Sequence, residues 1–237
     1  MIPHRITLHT FLLCLILFSL NNTFAQNRKA PPGGRLGVVV DERLSALRET
    51  PDLRGRLVRR LGRGRLVAIR SVKAGRDGIV FYLVNVTSRT HGWIQREAII
   101  STSRTGDDER LYRLIDRSAE FDCVSRARIF LDHFPRSRWR PLVLLRLADA
   151  AEQVSEKLSR DAVRRLTDTE EASLASLFLN YSGLDRYNRQ GVGFVFDETN
   201  KRLHYDGAAW RELVRRYQKT NEAVEARKRL AALRQLH

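Results

Sequence analysis

Hydrophobic positions fall into three successive patterns along this chain of 237 residues. Residues 11–20 form a nearly unbroken apolar run behind the basic start at 1–5, and Thr23-Phe24-Ala25 sets small residues where a signal peptidase reads. A run of that length is well short of the roughly 20 apolar residues a spanning helix needs. The pattern therefore predicts a secretory signal peptide over 1–25, with Gln26 as the mature start and 26–35 as a flexible mature N-terminus. Cys14 lies inside the apolar run, between Leu13 and Leu15, and goes with it. No later apolar run is long enough to span a bilayer, so no integral membrane segment is expected after cleavage.

Short β-branched runs fill residues 36–101. Leu36-Gly37-Val38-Val39-Val40, Leu57-Val58, Leu66-Val67-Ala68-Ile69, Ile79 through Val86, Gly92-Trp93-Ile94 and Ala98-Ile99-Ile100 are punctuated by Pro51, Gly62-Arg63-Gly64 and Asp77-Gly78. Several short strands separated by such turns predict a small barrel.

After the polar stretch 102–106, read as a linker, the period becomes helical. Leu111, Leu114 and Ile115 share a face, as do Val124, Ala127, Leu131 and Phe134; Val143, Leu147, Ala150 and Val154; and Trp210, Leu213, Val214 and Tyr217. These are the i, i+3, i+4, i+7 stripes of amphipathic helices. Pro135 stops one helix, Thr167-Asp168-Thr169-Glu170 has the form of a capping box, and a further helix is expected near 172–181. Val192-Gly193-Phe194-Val195-Phe196 and Arg202-Leu203-His204-Tyr205, flanking Asp197-Glu198-Thr199-Asn200, predict a hairpin inserted near 191–205. A shift of 83 positions sets Phe134-Pro135-Arg136-Ser137 on Tyr217-Gln218-Lys219-Thr220, with Phe130 on Leu213 and Leu147 on Leu230. Both copies read as helix, polar turn, helix. The fold class expected is α+β multidomain, with the barrel at 36–101 followed by an all-α helical-hairpin region at 107–237.

Two resemblances rest on these residues. Ala46-Leu47-Arg48-Glu49-Thr50-Pro51, Leu61 through Val67, Phe81-Tyr82-Leu83-Val84 and the closing Gly92-Trp93-Ile94 resemble, in order and spacing, the bacterial SH3-like (SH3b) family. That resemblance implies an SH3-like β-barrel that binds cell-wall glycan, peptides or other proteins through variable loops; Phe81 stands where tryptophan is common, and the loop at 73–78 is longer than usual. Ala127 through Ser137 and the helix that follows look like the tetratricopeptide-like modules of envelope assembly and cell-division proteins, which implies a scaffold for a protein partner.

Charge alters this picture in one half. The chain carries 43 Lys plus Arg against 27 Asp plus Glu, a formal net charge of +16, and 37 of the cations are arginine. With 43% hydrophobic residues it has enough apolar content for a core, which excludes disorder as its main state. Residues 26–104 hold +11 of the charge and 105–237 only +4. Arg54, Arg56, Arg59, Arg60, Arg63, Arg65, Arg70, Lys73 and Arg76 crowd one stretch. Guanidinium forks suit carboxylate and phosphate, so this stretch is either an anion-facing surface or an arginine-rich solubilising coat. Export argues against nucleic acid as the partner. The candidate ligand-binding residues are Arg59, Arg60, Arg63, Arg65 and Tyr82, the last as the outward member of the Phe81–Tyr82 pair; Trp93 is expected to fill the barrel core, and Trp139 and Trp210 to pack.

Reactive chemistry is sparse. His91, His133, His204, His237 and Cys123 lack metal-ligand spacing, Asp197-Glu198-Thr199-Asn200 lacks the pattern of a calcium loop, and no nucleophile elbow or phosphate loop occurs. Gly191-Val192-Gly193 lacks the third glycine of a dinucleotide loop. Asp107-Asp108 and Glu170-Glu171 read as helix-start acids. Cys123 reads as a buried hydrophobe, and no cofactor or metal is implied. The expectation is an exported, periplasmic, non-enzymatic binding protein of the cell envelope. Its basic SH3-like half would contact peptidoglycan or an acidic envelope protein, and its helical half a protein partner. The alternatives are an assembly adaptor with no wall affinity and an accessory factor of a cell-wall hydrolase.

Overall fold

The structure, a computed structural model, describes residues 31, 33–166, 182–197 and 199–234. The apolar N-terminal run with its cleavage site, most of the segment at 26–35, the capping box at 167–170 and the helix expected near 172–181 lie outside or largely outside the described residues, as do Glu198 and His237.

The chain is α+β. Strands β1 (Arg35–Val39), β2 (Ala46–Arg48), β3 (Leu57–Arg60), β4 (Leu66–Ala74), β5 (Val80–Asn85), β6 (His91–Gln95) and β7 (Ile99–Ile100) form one antiparallel sheet in the order β3-β2-β6-β5-β4-β1-β7. Among the described residues no ladder joins the end strands β3 and β7. Helices α1 (Asp107–Asp116), α2 (Glu120–His133), α3 (Arg140–Leu166), α4 (Ser182–Asn188), α5 (Ala208–Arg216) and α6 (Asn221–Arg234) follow, with the hairpin β8 (Phe194–Asp197) and β9 (Arg202–Tyr205) between α4 and α5. That hairpin docks on α3, where Leu203 N–H donates to Ser159 Oγ at 2.8 Å and Tyr205 N–H to Glu152 Oε2 at 3.0 Å.

The two helical hairpins end their first helices alike. Phe134 closes α2 with its N–H on Phe130 O at 2.8 Å, and Tyr217 closes α5 with its N–H on Leu213 O at 2.9 Å. These are the positions the 83-residue shift superposes. Each bond satisfies a carbonyl that a helix end would otherwise leave unpaired.

Period-two alternation explains how sheet and helices join. In Val38-Val39-Val40 the middle side chain enters the sheet's own core with Leu47, Val67, Tyr82 and Ile94, while Val38 and Val40 enter the helical core with Leu111, Val124 and Phe130. Ile99 and Ile100 divide the same way. A strand buried on both faces needs apolar residues without alternation, which is why these runs are continuous. Segment 102–106 is a hydrogen-bonded turn: Arg104 N–H reaches Ser101 O, and Asp107, 2% exposed, accepts Ser101 N–H at 2.7 Å. Arg110 on α1 donates to Glu97 O at 2.9 Å and also to Ile99 O. Sheet and helices therefore share the larger of two apolar cores, through Val38, Val40 and Ile100, while the sheet keeps a second core of its own.

Candidate binding face

The sheet's outer face is built by cross-strand register. Leu57, Arg48, Trp93, Leu83 and Ser71 stand opposite one another in turn across β3, β2, β6, β5 and β4, and directly opposed residues project to the same side. Gly92 makes this row possible, because a Cβ there would lie 2.7 Å from Arg48 O and hold β2 away from β6. Trp93, Leu83 and Arg48 are half-buried, and Leu57 is 46% exposed. Arg48 Nη1 donates to Gly55 O at 2.7 Å, while its Nε is buried without a hydrogen-bond partner. Arg60 stands opposite Ala46, two residues before Arg48 and so on the same side. The helices meet the sheet at β1 and β7, the far end of the strand order from β3.

The five residues singled out from sequence have separate fates. Arg59 and Arg60 are exposed on edge strand β3, and neither side chain has a partner among the described residues. Arg63 faces inward instead: its side chain is 11% exposed, and Nη1 lies 2.9 Å from Asp122 Oδ1 and 2.5 Å from Ser125 Oγ on α2. It joins sheet to helices. Arg65 is half-buried and donates to Val86 O at 3.2 Å.

Tyr82 is a correction. It is 7% exposed and packs in the sheet core, with its hydroxyl 3.5 Å from Arg104 Nη1. The alternation argument assumes one wet face, but both faces are covered at this position. Phe81 is also fully buried, beneath the loop carrying Pro51 and the tight Gly75 turn, where a Cβ would lie 2.9 Å from Pro51 O and 3.2 Å from Phe81 Cε2. Trp93 is the complementary correction. Expected in the core, it lies half-buried on the outer face, because the sheet-core side of β6 is taken by Ile94. The periodicity of Gly92-Trp93-Ile94 requires that one of Trp93 and Ile94 face outward, but only the strand register shows which.

In the helical half, Trp210 is 2% exposed and meets Tyr205 edge-on at 5.3 Å, and Trp139 stacks on Tyr112 at 4.7 Å. Cys123 is fully buried, and burial pushes its thiol up to about 11. On the order of one part in ten thousand is then thiolate at pH 7. Cys123 is expected to resist iodoacetamide in the native protein and to label fully in denaturant; native labelling, read by peptide mapping, would contradict this burial.

Among the described residues no three His, Cys, Asp or Glu side chains gather as a metal-ligand set, and no helix is long and apolar enough to cross a membrane. Compared with protein-family models, curated proteins and solved structures, the chain matches none.

Proposed function

We propose that this is an exported, non-enzymatic binding protein of the cell envelope whose sheet holds an anionic, extended ligand across the Trp93 face, with peptidoglycan as the leading candidate. The observation that carries the reading is the half-buried Trp93, set in register between Arg48 and Leu83 on the side that Arg60 shares, with Arg59 also unpartnered on the same edge strand. An indole face stacks on sugars or peptide prolines, and two free guanidinium forks supply carboxylate contacts. The strand order, together with the Gly92-Trp93 element, supports an SH3-like reading of this half. The matched ends of the two helical hairpins support a tetratricopeptide-like reading of the other, with a protein partner on it. Export rests on the N-terminal sequence pattern.

The test is sedimentation with purified peptidoglycan at two salt concentrations. Arg59→Ser with Arg60→Ser is expected to remove most of the low-salt binding and to flatten its salt dependence, because these charges are screened as ionic strength rises. Trp93→Ala is expected to weaken binding about tenfold at both salts, since loss of a stacked aromatic is not screened. Arg63 is left out of the set because its loss would disturb the contact with α2. Unchanged sedimentation of both variants would overturn the reading; capture of an acidic envelope protein in place of peptidoglycan would move the same face to the adaptor reading.

A further inference from the structure

Away from the sheet's outer face, an open cleft of about 570 Å³ lies where the sheet meets the helices. Arg43 lines it from the turn after β1, Arg117 from the α1–α2 connection, Arg126 from α2 and Arg186 from α4. Four guanidinium groups face two lining carboxylates, Glu120 and Asp122, which leaves a net charge of +2.

The carboxylates are already engaged. Glu120 binds Lys157 at 2.6 Å, Asp122 binds Arg63 at 2.9 Å, and Asp41 is held by Arg43 at 2.8 Å. Arg126, with a side chain 7% exposed, donates to Val40 O and Ser118 Oγ, yet its nearest carboxylate oxygens are 3.8 and 4.0 Å away, beyond hydrogen-bond reach. Burial, helped by Arg63, disfavours its charged form. Arg186 lies 5.1 Å from the Phe121 ring centroid and 4.8 Å from that of Tyr187. Arg117 is exposed, with no side-chain partner among the described residues. Three cations from three elements thus converge on one cavity without a carboxylate in hydrogen-bond contact.

We propose that this cleft binds a phosphate monoester. Such a group carries about −1.5 to −2 charge at neutral pH and three acceptor oxygens, which matches the net +2 of the lining, and guanidinium forks bind it bidentately. The proposal is independent of the Trp93 face and stands or falls apart from it.

Calorimetric titration of the full chain with glycerol 3-phosphate at fixed ionic strength tests it, with vesicles containing phosphatidic acid as a second arm. Phosphatidylglycerol vesicles of equal charge serve as the phosphodiester control. One saturable site for the soluble ester identifies a free metabolite-sized ligand. Binding to phosphatidic acid vesicles alone, above the control, identifies the same group on a lipid. In either arm Arg117→Glu, which breaks no contact within the fold, should weaken binding about tenfold or more. Arg186→Ser should act in the same direction, and Arg59→Ser with Arg60→Ser should leave it unchanged. The proposal is overturned by no saturable binding in either arm, by equal binding to both kinds of vesicle, or by equal losses from the Arg117 and the Arg59/Arg60 variants.

Discussion

Alanine in place of Arg126 is expected to destabilise the protein by about 3–5 kcal/mol. The guanidinium is buried where sheet and helices meet, bonded through Nε to Val40 O at 3.1 Å and through Nη1 to Ser118 Oγ at 2.5 Å. Its removal leaves Val40 O without this donor and takes away the positive charge between Asp41 and Asp122. An unpaired buried polar group costs more than the net value of the bond it made. Arg126→Met keeps the packing of the stem and loses the polar links, so it should recover only part of the loss. Urea unfolding at neutral pH measures both. Since sheet and helices share a core, one transition should move as a whole. A change below about 1 kcal/mol, the range of an exposed ion pair, would show that Arg126 does not hold the junction.

Phe130→Ala is expected to cost about 3–5 kcal/mol by cavity formation. Phe130 is fully buried, with its ring centroid 5.4 Å from that of Phe134, in the core that also takes in Val38, Val40 and Ile100. Its counterpart across the 83-residue shift, Leu213, is equally buried, and Leu213→Ala should cost about 2–5 kcal/mol. At this chain length each kcal/mol lowers Tm by about 2–4 °C. Leu57→Ala, at an exposed site, should change stability by no more than about 0.5 kcal/mol. Calorimetry would contradict the shared core if Phe130→Ala lowered one of two separate transitions and left the other in place.

Element type was largely legible because it rests on periodicity. Leu111 and Ile115 recur at helical spacing and are both buried in α1; Phe134 closes α2 just before Pro135; Leu203 and Tyr205 alternate into the core beneath the β8–β9 hairpin. The candidate site was legible only in part. Arg59 and Arg60 were found because they lie in the dense arginine stretch between Arg54 and Arg76. Arg63, three residues beyond β3, has the same local signature and the opposite fate, because its partners Asp122 and Ser125 lie about 60 positions away in sequence. The cleft of Arg43, Arg117, Arg126 and Arg186 left no local signal, since its four cations come from four separated segments.

Local rules in the sequence thus determined the α+β class, the strands and helices, the paired helical hairpins and the basic excess of the first 104 residues, because backbone preference and amphipathic period act over a few neighbours. Tertiary structure alone decided which face of each strand is wet. It turned Trp93 outward and Tyr82 inward, and it spent Arg63 and Arg126 on joining sheet to helices, leaving Arg59 and Arg60 free. The reason is register: a strand carries two faces of equal standing, and only the strands and helices packed against it determine which is buried.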